Sequence, residues 1–206
     1  MLAERAERES RSHTVSLPRL VERTLADAGL QVGDVQGLAV SIGPGSFTGL
    51  RIGLAFAKGL AYAGRVPLAA VSTLEALAWA ADAPPGVRIC AALDARKQEV
   101  YAALFEATCD GPRRLGADVA LRPAALARLL DAPCVLVGDA GEVYADVLGA
   151  RADVRPFATH HPRGGIVARL GAARLARGDV ADVGALEPTY VRAPEAELAA
   201  ARARVN

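Results

Sequence analysis

Lysine is nearly absent from this chain: only Lys58 and Lys97 occur, so all but two of the 24 basic residues are arginine. Beside abundant alanine, that bias points to a GC-rich genome rather than to a selected arginine surface. Acidic and basic residues nearly cancel to a formal charge of +1, which leaves no global basic field to draw in nucleic acid. Aromatics are scarce as well, with four Tyr, four Phe and one Trp, so few stacking platforms exist for a chain that would bind RNA by itself. Cys90, Cys109 and Cys134 are odd in number, widely spaced and without a Cys-x-x-Cys, which excludes a disulfide framework and leads us to expect buried, reduced thiols. The three histidines, His13, His160 and His161, form no His-x-x-x-His or His-Glu-x-x-His, which excludes a two-histidine metal site on one helix. No apolar run reaches the roughly 18 residues of a membrane span, and no signal peptide is recognised. A soluble, cytoplasmic chain with no membrane partner is expected.

What is present is apolar bulk: 52% of the 206 residues are hydrophobic, enough for a true core in one or two small domains. Folding at this length buries roughly 70% of the unfolded surface. Apolar strands alternate with amphipathic helical stretches, which defines an α/β class. No internal repeat or low-complexity tract interrupts them. Pro84-Pro85-Gly86 is the clearest break and divides an expected first lobe, 1–86, from a second, 87–192, with a polar helical tail over Glu195–Arg204 within 193–206.

The central stretch is Ser41-Ile42-Gly43-Pro44-Gly45-Ser46-Phe47-Thr48-Gly49-Leu50-Arg51-Ile52-Gly53. A buried strand, Gly37–Ile42, enters a Gly-Pro-Gly turn, and Ser46 or Thr48 can cap the helix that runs on to Gly64. That helix is apolar nearly all round, with Arg51 and Lys58 its only charges. It must therefore be covered on more than one side. Gly49, Gly53, Ala57 and Ala61, spaced by four, predict one flat stripe that lets a second helix approach. Val15, Leu17, Leu20, Val21, Thr24, Leu25 and Ala28 predict an amphipathic helix with Pro18 in its first turn and Gly29 past its end. Gly43, Gly45, Ser46 and Thr48 have two readings: a phosphate cradle at a helix N-terminus, or a structural strand-to-helix turn. The loop lacks the Gly-Lys-Ser/Thr of a Walker loop and the glycine spacing of a dinucleotide fingerprint.

Later segments follow in order. Leu68–Val71 reads as a strand, and Ser72 and Glu75 have capping-box spacing for the helix after it. Trp79 reads as a packing residue. Val87–Leu93 and Val100–Phe105 predict a hairpin around Asp94–Glu99. Helices are expected at Pro123–Leu130 and Ile166–Ala176, a strand at Val135–Val137 leading into Gly138-Asp139-Ala140-Gly141, and an extended end over Glu187–Arg192. Asp94, Arg96, Glu99 and Tyr101 could be an active constellation or a turn held by hydrogen bonds with a lobe contact; structure is the favoured reading. Ser46 has no neighbouring His or Lys to activate it. No catalytic residue, metal or cofactor is assigned.

Gly43-Pro44-Gly45-Ser46-Phe47-Thr48-Gly49-Leu50-Arg51-Ile52-Gly53 resembles the signature of the bacterial TsaB family, also called YeaZ. Val71-Ser72-Thr73-Leu74-Glu75, Asp94-Ala95-Arg96-Lys97-Gln98-Glu99-Val100-Tyr101 and Pro188-Thr189-Tyr190-Val191-Arg192 resemble that family's further motifs in the same order. The resemblance implies an actin-like, sugar-kinase-like (ribonuclease H-like) fold of two lobes. Relatives open with two further strands, so the first lobe is expected to be incomplete, with Met1 to about Glu7 matching the tail of a third strand and the start of the chain misassigned or cut. The resemblance also implies a non-catalytic dimerisation subunit in tRNA threonylcarbamoyladenosine modification. Its expected partners are the TsaD transferase through a helical interface, the TsaE ATPase in the assembled complex, tRNA only through that complex, and a second copy when TsaD is absent. The residues expected at the interface are Leu17, Leu20 and Val21 on one helix and Gly49, Ile52, Gly53, Phe56 and Leu60 on the next. The alternative reading is a nucleotide-dependent phosphotransferase or hydrolase of the same fold.

Overall fold

The structure, a computed structural model, describes residues 1–7, 13–130 and 134–191. Arg192 of the closing motif and the helix expected over Glu195–Arg204 lie outside the described residues. Two sheets form. In the first, β1 (Leu38–Gly43) and β2 (Leu68–Ser72) run parallel in the register Leu38↔Leu68 to Ser41↔Val71. A parallel pair needs a crossover, and α2 (Phe47–Gly64) supplies it. Side chains alternate across this sheet: Leu38, Val40 and Leu68 pack with Ala57 and Ala61 of α2, while Ala39 and Val71 pack beneath α7 (Gly164–Ala176). The fit under α7 is close, because a Cβ on Gly171 would come within 2.2 Å of the Ala39 Cβ. α1 (His13–Asp27) lies alongside α2.

α3 (Thr73–Trp79) joins the two sheets. Leu74, Leu77 and Ala78 face the second sheet and Ala76 faces the first, so this helix is buried on both sides and carries almost no polar face. The Ser72 hydroxyl accepts from the Glu75 N–H at its start, as the spacing predicts. Trp79 is a packing residue: it lies against Gly111, and the Arg169 guanidinium sits 4.4 Å over its ring.

The second sheet has the order β5-β4-β3-β7-β8, with β6 also paired to β4. β3 (Arg88–Arg96) and β4 (Glu99–Thr108) form the expected hairpin, longer than the apolar runs alone suggest. β5 (Gly111–Arg114) and β6 (Val119–Leu121) lie antiparallel to β4. β7 (Cys134–Val137) lies parallel to β3, and β8 (Asp153–Val154) parallel to β7. Both faces are covered, which is why β3 reads as an unbroken apolar run rather than an alternating one. Ile89, Ala91 and Leu93 pack beneath α3; Cys90 and Ala92 pack beneath α4 (Pro123–Leu129) and the short helices α5 (Ala140–Val143) and α6 (Ala145–Leu148).

Several expectations need correction. Pro18 falls in the second turn of α1, because the helix begins at His13. Cys90 and Cys134 are buried but Cys109 is exposed at the β4–β5 turn. The first sheet draws its strands from before residue 86 and the second from after it, yet α7 and the stretch to Tyr190 return to the first. The Ala181 N–H donates to the Leu68 carbonyl at 2.8 Å, and Lys58 Nζ donates to the Gly184 and Leu186 carbonyls.

β1 is not the buried strand its composition suggests. Leu38, Ala39, Val40 and Ile42 are half-buried, while Leu68, Ala69 and Val71 of β2 are fully covered. Only β2 pairs with β1 among the described residues. Near the start of β1 lies a hollow of about 930 Å³ bordered by α1, α7 and the first five residues.

Residues 1–7 form no strand; they cross this hollow as a strap. Arg5 pairs with Asp27 at the end of α1, and Glu4 accepts from the Gly165 N–H at 2.7 Å and from Arg163 at the start of α7. Burial pushes the Glu4 carboxyl up, but the Gly165 N–H and the Arg163 guanidinium outweigh it and hold the group below the usual carboxylate range. A lowered carboxylate stabilises the fold above its unfolded pKa, and that contribution is lost as pH falls through the folded value. Glu4→Gln should therefore cost about 1 kcal/mol at pH 7, the scale of a helix N-terminal cap. Thermal melts of both proteins from pH 7 to pH 3 should show that difference closing as pH falls; a difference constant over the range would refute the linkage.

Candidate functional site

The site grows from the turn after β1. Gly43 is buried with φ +113, and a Cβ there would meet the Thr189 carbonyl oxygen at 2.9 Å. The Thr189 N–H in turn donates to the Ile42 carbonyl at 2.7 Å, so the backbone at Thr189 seals the turn. The Gly43-Pro44 peptide is cis, and Pro44 is buried. Gly45, Ser46 and Thr48 are exposed, and the Ser46 hydroxyl caps α2 by accepting from the Gly49 N–H at 3.3 Å.

The small-residue stripe of α2 does not form one flat face. Steps of four residues turn the helix by about 40° each, so a row of three such steps rotates through about 120°. Ala57 and Ala61 face the sheet and are buried, while Gly49 and Gly53 are turned away from it. A Cβ on Gly53 would meet nothing within 4 Å. No contact among the described residues requires glycine there.

All eight residues expected at an interface are half-buried and lie on α1 and α2. Leu17, Ile52 and Phe56 line a groove of about 330 Å³ between the two helices. Val21 and Leu60 instead border the larger hollow beside β1. Leu20, Gly49 and Gly53 line neither. The set is thus one apolar face with two depressions.

Sequence reasoning missed a cluster at the end of this face. Arg51 Nε donates to the Tyr190 hydroxyl at 3.0 Å, and the guanidinium carbon lies 3.9 Å over the Phe47 ring. The Phe47 and Tyr190 rings are 5.4 Å apart. The only signal was that Arg51 and Tyr190 both fall in the quoted motifs; 139 positions separate them.

The acidic cluster of the second sheet holds a turn. Arg96, Lys97 and Gln98 all have positive φ, and the Arg96 N–H donates to Asp94 Oδ1 at 2.9 Å. The Asp94 N–H donates to Asp139 Oδ1 at 2.8 Å, and the Tyr144 hydroxyl to Asp94 Oδ1 at 3.0 Å. Burial, with the Asp94 charge adding to it, pushes the Asp139 carboxyl up despite that N–H. Glu99 and Tyr101 are half-buried on β4. His160 Nδ1 lies within hydrogen-bond distance of the Thr159 hydroxyl, at 2.8 Å, and of the Pro156 carbonyl oxygen, to which it can only donate, and His161 stacks edge-on with Phe157. Among the described residues, no group of three or more His, Cys, Asp or Glu is placed to hold a metal, and no helix is long and apolar enough to cross a membrane.

A two-stranded parallel unit joined by a buried helix to a mixed sheet of order β5-β4-β3-β7-β8 is an actin-like α/β arrangement. The family model described as TsaD, tRNA N6-adenosine threonylcarbamoyltransferase, matches residues 5–199. The chain is 32% identical over 194 residues to the tRNA threonylcarbamoyladenosine biosynthesis protein TsaB of Bacillus subtilis, covering 91% of this chain and 82% of that protein. It is 42% identical over 97 residues to the protein of the same name in Escherichia coli, a match spanning 47% of this chain and 42% of that one. The solved structure of YeaZ from Pseudomonas aeruginosa superposes with a TM-score of 0.78 at 31% identity, covering 89% of this chain and 86% of the other. The chain belongs to the TsaB (YeaZ) family.

Proposed function

We propose that this chain acts in tRNA threonylcarbamoyladenosine biosynthesis as a non-catalytic dimerisation subunit, pairing with the TsaD transferase through α1 and α2. The reading rests on one observation: an apolar face of two adjacent helices, left half-buried, with Gly53 open to approach. The name carried by the relatives supports the pathway. Covering the third or less of Leu17, Leu20, Val21, Ile52, Phe56 and Leu60 that is still exposed contributes about 0.5 kcal/mol each. A matching face on the partner doubles this to about 6 kcal/mol, near the lower end of the roughly 4–15 kcal/mol that association costs. The apolar face thus makes pairing feasible, and specific anchors decide its strength.

On this reading the subunit holds the transferase in a competent conformation, a linkage effect that needs no chemistry of its own. The TsaE ATPase joins the assembled pair, tRNA is met only through the complex, and a second copy takes the same face when the transferase is absent. Mixing the purified chain with the TsaD subunit from the same source, followed by size-exclusion chromatography with light scattering, should give a one-to-one complex. Two separate unshifted peaks would sink the proposal, and nucleotide turnover by the chain alone would favour a phosphotransferase or hydrolase instead.

A further inference from the structure

The groove between α1 and α2 has a single charged side chain among its lining residues, Arg51. That side chain is held in place rather than loose. Its Nε is tethered to the Tyr190 hydroxyl and its flat face lies on Phe47. Each support is itself fixed: the Ser46 cap sets the helix start beside Phe47, and the Thr189 N–H bonded to the Ile42 carbonyl sets the backbone beside Tyr190. Arg51 is exposed, and among the described residues it pairs with no carboxylate. A guanidinium used at Nε and stacked on one face still presents its two terminal nitrogens as a fixed fork, which matches the two oxygens of a carboxylate.

We propose that Arg51 is the polar anchor of the α1–α2 interface, and that it receives an Asp or Glu carboxylate on an apolar helix of the partner subunit. This rests on the pairing reading above. The occupant is argued from the two chemistries side by side: Leu17, Ile52 and Phe56 call for an apolar helix face, and the adjacent cation, which meets no carboxylate among the described residues, calls for one acidic side chain on it. A phosphate backbone would satisfy the arginine but leave the apolar groove against charge. Tyr190 is a positioning residue, acting on the partner only through the orientation of Arg51.

The test measures the dissociation constant of the chain with the transferase subunit by calorimetry, at several sodium chloride concentrations. Arg51→Gln should weaken binding about tenfold or more and flatten its salt dependence. Arg51→Lys should not restore it, because a point charge lacks the fork. Tyr190→Phe keeps the ring and loses only the tether, so it should weaken binding severalfold with the salt dependence retained; it also serves if Arg51→Gln fails to fold. Wild-type affinity and salt slope in both Arg51→Gln and Tyr190→Phe would overturn the anchor while leaving pairing intact. Failure of the wild-type chain itself to bind would overturn the pairing reading instead. Salt-sensitive binding of tRNA by the chain alone, lost in Arg51→Gln while transferase binding is unchanged, would assign the arginine to phosphate and overturn the proposal.

Discussion

Gly138→Ala should destabilise the protein by roughly 3–5 kcal/mol, among the largest losses a single methyl can cause. Gly138 directly follows β7 with φ +112, a backbone conformation that L side chains rarely adopt. A Cβ there would lie 1.9 Å from the Ala92 carbonyl oxygen and 2.8 Å from its carbon. Neither atom can yield easily. Ala92 is in the middle of β3, fully buried and paired with Ala102 of β4, and the register Ala91↔Val137 ties β3 to β7 just before the glycine. The local strain adds about 1–3 kcal/mol to the clash. The damage should reach Asp139, whose carboxylate holds the Asp94 N–H at the hairpin turn. Urea denaturation followed by circular dichroism should show a lower midpoint with an unchanged slope. Gly59→Ala gives the contrast: that Cβ meets nothing within 4 Å in α2, and helix propensity should raise stability by up to about 1 kcal/mol. Equal midpoints for the two variants would show that the close approach at Gly138 is wrong.

The contrast also marks what was legible in the sequence. Ser46 and Ser72 as caps, the strand–turn–helix at Gly43, the β3–β4 hairpin and the helix that starts after Ser72 all rest on patterns within a few residues, and each appears in the structure. What failed depends on distant partners. The apolar composition of β1 says that it can be buried, but its half-burial follows from which strands lie beside it. The four-residue spacing of Gly49, Gly53, Ala57 and Ala61 is real, yet the position of the sheet decides that only the last two face it. The return of α7 to the first sheet, and the meeting of Arg51 with Tyr190, leave no local trace at all. Of the candidate site, the helices α1 and α2 were legible; the groove between them, the meeting of Arg51 with Tyr190 and the strap through Glu4 were not.

Gly53→Trp should leave the isolated chain folded and abolish pairing with the transferase, a loss of at least about a hundredfold in affinity. The first half follows from the space around the residue. Nothing lies within 4 Å of its Cβ direction, and the position is within a regular helix, so replacing glycine relieves up to about 1 kcal/mol of helix cost rather than adding strain. The second half follows from where that space points. Gly53 sits among Gly49, Ile52, Phe56 and Leu60 on the half-buried face, and packed helices have axes only about 8–10 Å apart. An indole projecting from the middle of such a face holds a partner helix off and strips contact from its neighbours as well. The effect should be graded by size, with Gly53→Ala close to wild type, Gly53→Leu intermediate and Gly53→Trp without a complex by light scattering. Stability should follow no such order. Gly53→Trp that is folded and still forms the one-to-one complex would mean that the partner meets the chain elsewhere, and Arg51 with its groove would then need a different explanation.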